Sequence, residues 1–169
     1  VNYTRDEVAG LLDGLKAMGI ENILALRGDM DPNHPPKTDF QYASQLIAFI
    51  KSRDNSFHLS GACYPEGHIE SPDMVSDILN LKKKVDAGAE HLVSQLFFDN
   101  DDFYDFREKA RIAGINVPIQ AGIMPVLNKS QIERMVTLCG ASLPPKFVKM
   151  MQRYEQYPDA IRDAGIAYA

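Results

Sequence analysis

Apolar residues recur along this chain with two alternating periods. Val8, Leu11, Leu12, Leu15 and Met18 share one face of a 3.6-residue repeat. Thr4 and Glu7 precede them in capping-box spacing, and Gly19 stands where a helix would stop. An opening helix is expected. The short apolar run at residues 23–26 predicts a strand and ends in Arg27-Gly28-Asp29. A polar loop rich in Pro, Asn and Asp then runs to about Lys37. Thr38 with Gln41 predicts the cap of a second helix carrying Leu46, Ile47 and Ile50.

The strand-then-helix unit repeats. Phe57 to Cys63 predicts a second strand, ending at Tyr64-Pro65-Glu66. Ser71, with Pro72 at the first helical position, predicts a third helix with the stripe Met74, Ile78, Leu81 and Val85 before Gly88. Leu92 to Phe98 predicts a third strand ending at Asp99, followed by a helix from about Asn100 to Ala113 that stops at Gly114. Ile119 to Ile123 predicts a fourth strand, ending at Met124-Pro125, and Asn128 with Gln131 predicts the next helix cap. Pro144 and Pro158 predict the starts of two further short helices.

The strand starts near residues 23, 58, 92 and 119 are spaced 35, 34 and 27 apart. Strands and helices alternating at that spacing predict a parallel sheet with right-handed crossovers. The strands are mostly apolar rather than strictly alternating, which predicts burial on both faces. No linker or low-complexity tract interrupts the pattern. Two architectures fit it: an open doubly wound sheet, or part of a (β/α)8 barrel. A full barrel takes eight such units and roughly 250 residues, and four units are visible here. Pattern alone does not choose between them.

Composition narrows the class. The chain is 45% hydrophobic and 24% charged, which excludes long disorder, collagen-like repeats and a disulfide scaffold. No stretch approaches the roughly 20 apolar residues of a membrane span, and no basic segment leading into an apolar run marks a secretory signal. The first residue is Val1 rather than Met, so it need not be the natural start. A net charge of −5 argues against nucleic acid or an anionic membrane as partner. Cys63 and Cys139 lie far apart and are expected to be reduced thiols of a cytoplasmic protein.

Polar residues gather just past the expected strand ends, where parallel α/β folds bind ligands. Arg27 and Asp29 follow the first strand, and Tyr64, Glu66 and His68 follow the second. Gln95 lies within the third, with Asp99 after it. Arg27-Gly28-Asp29 admits three readings. It could be an adhesion tripeptide, which needs a displayed loop tip whereas here it ends a buried strand. It could be a plain tight turn. Or Gly28 could let the backbone approach a ligand to which Asp29 presents its carboxylate. Asp77, Asn80 and Lys84 fall on one face of the third helix, with Lys83 beside them. A carboxylate suits ribose hydroxyls and lysines neutralise phosphate, although Lys82-Lys83-Lys84 alone reads as a solvated face. His34, His58, His68 and His91 show no metal-ligand spacing and the cysteines form no C-x-x-C, so no metal site is expected. Met124 and Met135 read as core or pocket lining. The glycine-rich dinucleotide fingerprint, the P-loop and a serine nucleophile elbow are absent from the sequence.

Five segments occur together in one order: NILALRGD (22–29), YPEGH (64–68), DILNLKKKVDAGA (77–89), QLFFD (95–99) and GIMP (122–125). In them the chain resembles the methylenetetrahydrofolate reductase family along essentially its whole length. The resemblance implies a (β/α)8 barrel of the TIM type, of which this chain supplies the fourth to seventh strands, so that residues 1–169 form one partial domain. It also implies a cytoplasmic flavoprotein oxidoreductase of one-carbon metabolism, serving methionine biosynthesis. Such an enzyme reduces 5,10-methylenetetrahydrofolate to 5-methyltetrahydrofolate with NADH or NADPH, by ping-pong hydride transfer through FAD. The parent enzyme is expected to be a homo-oligomer with a small folate substrate.

The resemblance also assigns roles. Asp29 matches an aspartate beside the flavin that influences its potential and folate reduction. Arg27, Gly28 and Ala43 match further FAD contacts. Tyr64 and His68 match residues around the ribityl and phosphate part. Asp77, Asn80, Lys83 and Lys84 match the ribose and pyrophosphate contacts. Gln95 and Gln131 match glutamines that contact folate. Met135 stands where some members carry an aromatic residue, and Lys83 where some carry arginine, which keeps charge but loses the bidentate fork. The family's general-acid glutamate, near the end of the first barrel strand, and its substrate-binding arginine, beyond the eighth, have no counterpart among residues 1–169. The isolated chain is therefore expected to bind FAD weakly or not at all. The alternatives are a catalytically incomplete fragment, or a different α/β-barrel enzyme sharing the scaffold.

Overall fold

Helix α1 (Arg5–Ala17) begins as its spacing predicts. Thr4 Oγ1 accepts from Glu7 N–H at 3.2 Å, while the Glu7 carboxylate accepts from Thr4 N–H at 2.6 Å. The computed structural model describes residues 2–29, 35 and 37–169, and at residues 129, 133, 134 and 137 the backbone alone. Most of the polar loop expected after Asp29, including His34, lies outside the described residues. The remaining elements are β1 (Asn22–Leu24), α2 (Ala43–Arg53), β2 (His58–Cys63), α3 (Met74–Asp86), β3 (His91–Leu96), α4 (Asn100–Ile112), β4 (Ile119–Gly122), α5 (Lys129–Cys139), α6 (Pro145–Arg153) and α7 (Pro158–Tyr168). All four expected strands are present, each one residue shorter than the apolar run that marks it.

Two helix starts differ from expectation. α2 begins at Ala43 rather than after Thr38. Asp39 Oδ2 accepts from Arg5 N–H at 2.8 Å, and Phe40 is buried, so residues 39 and 40 are committed elsewhere. Gln45 closes the helix start instead, its Oε1 accepting from the N–H groups of Gln41 and Tyr42 at 2.8 and 3.1 Å. α3 begins at Met74, not after Ser71. Asp73 is the cap: its Oδ1 accepts from Ser76 N–H at 2.7 Å, which holds its carboxyl below the ordinary range.

The strands form one sheet in the order β1-β2-β3-β4. β1 runs parallel to β2, with Asn22 opposite His58 and Leu24 opposite Ser60. Each neighbouring pair is joined through a helix (α2, α3, α4), which is the connection that parallel strands require. A doubly wound sheet reverses its strand order partway. The order here does not reverse, consistent with a section of barrel wall.

Burial along the strands alternates, contrary to the expectation of two buried faces. In β2, Leu59, Gly61 and Cys63 are buried while His58 is exposed and Ser60 and Ala62 are half-buried. In β3, Leu92, Ser94 and Leu96 are buried and His91, Val93 and Gln95 are half-buried. The buried face is the one the helices cover. Leu59 packs in a cluster with Val8 and Leu12 of α1 and Ile47 and Ile50 of α2. Alternate side chains of a strand point the other way.

The chain divides into two compact units. The first comprises Val1–Ala62, Leu79–Val93 and Ala113–Gln120, and is built on the Leu59 cluster, which also contains Phe57 and Ala89. The second comprises Cys63–Ile78, Ser94–Ile112 and Ala121–Ala169. Its core gathers Leu96, Val126, Met135, Phe147, Met151 and Ile161. No helix among the described residues is long and apolar enough to cross a membrane.

Glu7 does two jobs in the first unit, capping α1 and pairing with Lys37 Nζ at 2.6 Å. The Lys37 ammonium, aided by Thr4 N–H, lowers the Glu7 carboxyl from 4.5 to about 2. A carboxylate favoured in this way stabilises the fold fully above its unfolded value and loses that effect as pH falls through the folded one. In thermal melts the Tm advantage of the native chain over Glu7→Gln should shrink as pH drops from above 4.5 towards 2. A gap independent of pH would show that the charge contributes nothing.

Candidate ligand site at the strand ends

In the first unit, Arg27, Gly28 and Asp29 leave the carboxyl end of β1. Gly28 has φ +78°, a left-handed conformation that a side chain would strain, although open space surrounds the position. The left-handed turn is one reason for glycine at this position. Arg27 Nε donates to Gly28 O at 3.2 Å. Asp29 is exposed, as are Asn22 and Leu24 of β1, so the tripeptide does not end a buried strand. Burial thus gives no argument against the adhesion reading. Ala43 is the first residue of α2 and is half-buried.

The expected polar face of α3 is graded rather than uniform. Asn80 and Lys83 are exposed, and Lys83 Nζ donates to Asn80 Oδ1 at 2.9 Å. Lys84 turns inward, its Nζ donating to Ala62 O of β2 at 2.8 Å. That contact puts one ammonium at the carboxyl end of β2. Lys82 points elsewhere and pairs with Asp86. The three consecutive lysines are therefore not one solvated run.

In the second unit, Tyr64 and His68 meet edge to face, with ring centroids 4.6 Å apart. The Tyr64–Gly67 turn closes through Gly67 N–H to Tyr64 O at 3.0 Å. His68 Nδ1 accepts from Glu70 N–H at 3.1 Å, so the neutral ring carries its proton on Nε2. Asp77, in the first turn of α3, is only 6% exposed, and its Oδ1 accepts from Ser71 Oγ at 2.8 Å. The half-buried Gln95 accepts from Leu96 N–H through Oε1 at 2.9 Å. Gln131 accepts from Leu127 N–H through Oε1 at 2.8 Å, while its own N–H donates to Asn128 Oδ1. In both glutamines the NH2 group is the end left to offer. Met135 is buried in the core of this unit, not at a ligand-facing surface. Met124 is partly exposed and lines a cavity of about 330 Å³ with Phe97, Phe98, Asp99, Ile123 and Tyr168. None of the candidate binding residues lines that cavity.

Ser94 escapes a reading of sequence, and so do the contacts that Glu66 makes. Ser94 is buried in an apolar strand; its Oγ accepts from Gly122 N–H and donates to Gln95 O, both at 2.9 Å. A lone hydroxyl in an apolar run must find such a partner, and that is the signal it offers. Glu66 accepts from Ser142 N–H through both carboxylate oxygens, at 3.1 and 2.9 Å, tying the loop after β2 to the segment before α6. Burial, with Glu66, Asp99, Asp105 and Asp101 nearby, pushes the Asp102 carboxyl up. Among the described residues no group of three or more His, Cys, Asp or Glu is gathered for a metal ion.

A sequentially ordered sheet whose neighbouring strands are joined by helices defines an α/β protein. Comparison with known proteins gives the family: the methylenetetrahydrofolate reductase model matches residues 1–169. The chain belongs to that family. It is 32% identical over 169 residues to a 5,10-methylenetetrahydrofolate reductase of Pectobacterium carotovorum, covering 100% of this chain and 56% of that protein. It is 34% identical over 167 residues to a Caenorhabditis elegans protein named probable methylenetetrahydrofolate reductase (NADPH), covering 98% of this chain and 25% of that one. The chain thus spans about half, or less, of these relatives' length. A solved structure also shares the fold, with a TM-score of 0.62 at 17% identity over 98% of this chain and 54% of the other. It is an uncharacterized Clostridium thermocellum protein described as binding two copies of 5-methyl-5,6,7,8-tetrahydrofolic acid.

Gly122 is the tightest point at these strand ends. A Cβ there would lie 2.2 Å from the backbone oxygen of Ser94, so β4 could not keep its place. Gly122→Ala should cost about 2 kcal/mol, the scale of overpacking a well-filled site. Urea unfolding would read this, and an unchanged midpoint would mean that β3 and β4 are less closely held than described.

Proposed function

We propose that this chain forms the fourth to seventh strands, with their helices, of a (β/α)8 barrel, and that residues 1–169 are one partial domain of it. On this reading the whole protein is a cytoplasmic, homo-oligomeric, flavin-dependent methylenetetrahydrofolate reductase. The observation that carries the proposal is the family match along the full 169 residues. The donor is a reduced nicotinamide, NADH or NADPH, in line with the name of the worm relative. The substrate is a folate, in line with the ligand of the Clostridium protein.

The residues present suit FAD in kind. The Lys84 ammonium at Ala62 O and the exposed Lys83 are cations for a pyrophosphate. The carboxylate of Asp77 and the amide of Asn80 can bind ribose hydroxyls. The Nε2–H of His68 is a donor for the ribityl or phosphate part, with Tyr64 bracing the ring. Arg27, Gly28 and Ala43 complete the set at the start of the first unit's loop and helix. When bound, FAD supplies a two-electron relay between nicotinamide and folate. The protein's part is to orient the ligands and set the local field. Asp29 places a negative charge that opposes further negative charge on a neighbouring ring. The NH2 groups of Gln95 and Gln131 are directed donors for folate acceptors, because each amide oxygen is already engaged by backbone.

The test uses the full-length protein carrying this sequence. It should purify yellow and reduce methylenetetrahydrofolate with a nicotinamide donor. Asp29→Asn should raise the flavin potential by roughly tens of millivolts, the scale of one nearby charge, and slow folate reduction. Unchanged potential and turnover would remove Asp29 from the mechanism. A colourless protein without menadione reductase activity would favour a different α/β-barrel enzyme.

A further inference from the structure

The second unit carries a cationic face and an anionic face, and neither is neutralised within it. On α6, Lys146, Lys149 and Arg153 stand at i, i+3 and i+7 and are exposed, while Phe147 and Met151 anchor the helix in the core. α6 contains no acidic residue. Among the described residues these three cations form no ion pair. By contrast, Lys16, Lys37, Lys51, Arg53, Lys82 and Arg111 each meet a carboxylate. On α4, Asp101 and Asp105 are exposed and Asp102 is half-buried between them. Burial first, and then the charges of Glu66, Asp99, Asp105 and Asp101, raise the Asp102 carboxyl, so these groups lie close together. None of them forms an ion pair among the described residues. The two faces adjoin, because both Glu66 oxygens accept from the N–H of Ser142, three residues before α6 begins. Exposed ion pairs contribute little by themselves, but each face also carries an exposed aromatic ring. Tyr104, 55% exposed, lies between Asp101 and Asp105 on α4. Tyr157, 65% exposed, lines a cleft of about 600 Å³ with Arg153, Tyr154 and Pro158 at the end of α6. Rings of this kind are common anchors of protein interfaces.

We propose that this surface of the second unit is self-complementary and pairs with the same surface of a second copy of this chain. In a two-fold pair the α6 cations of each copy lie over the α4 carboxylates of the other, so every contact is made twice. Tyr104 of each copy then reaches the cleft beside Tyr157 of the other. The inference rests on the homo-oligomeric reading above and names the surface that reading leaves open. Lys146, Lys149, Asp101 and Asp105 stand outside the candidate ligand-binding residues.

Sedimentation velocity on the full-length protein tests the pairing. Raising the salt to about 1 M, where the screening length falls to about 3 Å, should weaken self-association of the native protein severalfold. Two variants then reverse one face each: Lys146→Glu with Lys149→Glu on α6, and Asp101→Lys with Asp105→Lys on α4. Each alone should raise the dissociation constant by about tenfold or more, because like charges now face one another. An equimolar mixture of the two variants restores opposite charges across the contact and should associate at near the native strength. Recovery in the mixture also shows that both variants are folded. Native association indifferent to salt and to both variants would overturn the inference and leave the homo-oligomeric reading standing. So would a mixture that stays dissociated although both variants melt like the native protein. A native protein that stays monomeric would overturn the homo-oligomeric reading, and this inference with it.

Discussion

Parallel strand pairing is the constraint from which the rest follows. A parallel neighbour can be reached only by a crossover, and each crossover here is a helix laid against one face of the sheet. Every strand therefore ends at the same edge. In the first unit Arg27 to Asp29 follow β1, and in the second Tyr64 to His68 and Asp99 follow β2 and β3. The helices also explain why burial alternates along β2 and β3. They fill in behind Leu59 and Leu92, and leave Ser60, Ala62, Val93 and Gln95 partly open on the other side. On the barrel reading, that second face is the interior of the closed wall.

The amino edge of the sheet has a different character. Lys51 Nζ donates to Phe57 O at 2.8 Å and pairs with Glu90, whose other oxygen meets His58 Nδ1 at 2.8 Å. Lys51, and secondarily His58, hold the Glu90 carboxyl below the ordinary range. These charges satisfy one another. At the carboxyl edge several polar groups instead spend one end on the protein and keep the other. Gln95 and Gln131 use their oxygens on backbone N–H groups, and His68 uses Nδ1. A half-used amide or imidazole is directional and fixed before any ligand arrives, which lowers the cost of ordering it on binding.

Much of this was legible in the sequence. Among the described residues, 3.6-residue stripes, short apolar runs and the prolines at 144 and 158 pointed to the helices and strands, because burial of one helix face and pairing of short apolar segments are local demands. The caps of α1 and α5 were legible for the same reason, as Thr4 with Glu7 and Asn128 with Gln131 act over three residues. What failed depended on distant partners. Thr38 did not cap α2, because Asp39 is tied to Arg5 and Phe40 to the core. Ser71 did not cap α3, because Asp77 takes its hydroxyl. The lysine run split because only Lys84 can reach a strand carbonyl. At the candidate site, the roles of Asp29, Asp77 and Gln95 are named by resemblance alone. Their exposure and the orientation of their polar atoms were not legible, since both are set by neighbours remote in sequence.

The central claim is that the carboxyl edge, and not the amino edge, receives a flavin dinucleotide. Hydrogen–deuterium exchange on the full-length protein, with and without FAD, tests it most directly. FAD should slow exchange in the segments 27–29, 64–71 and 77–84, and leave the turns around His58 and Glu90 unchanged. Protection at the amino edge, or none in those segments, would contradict the account.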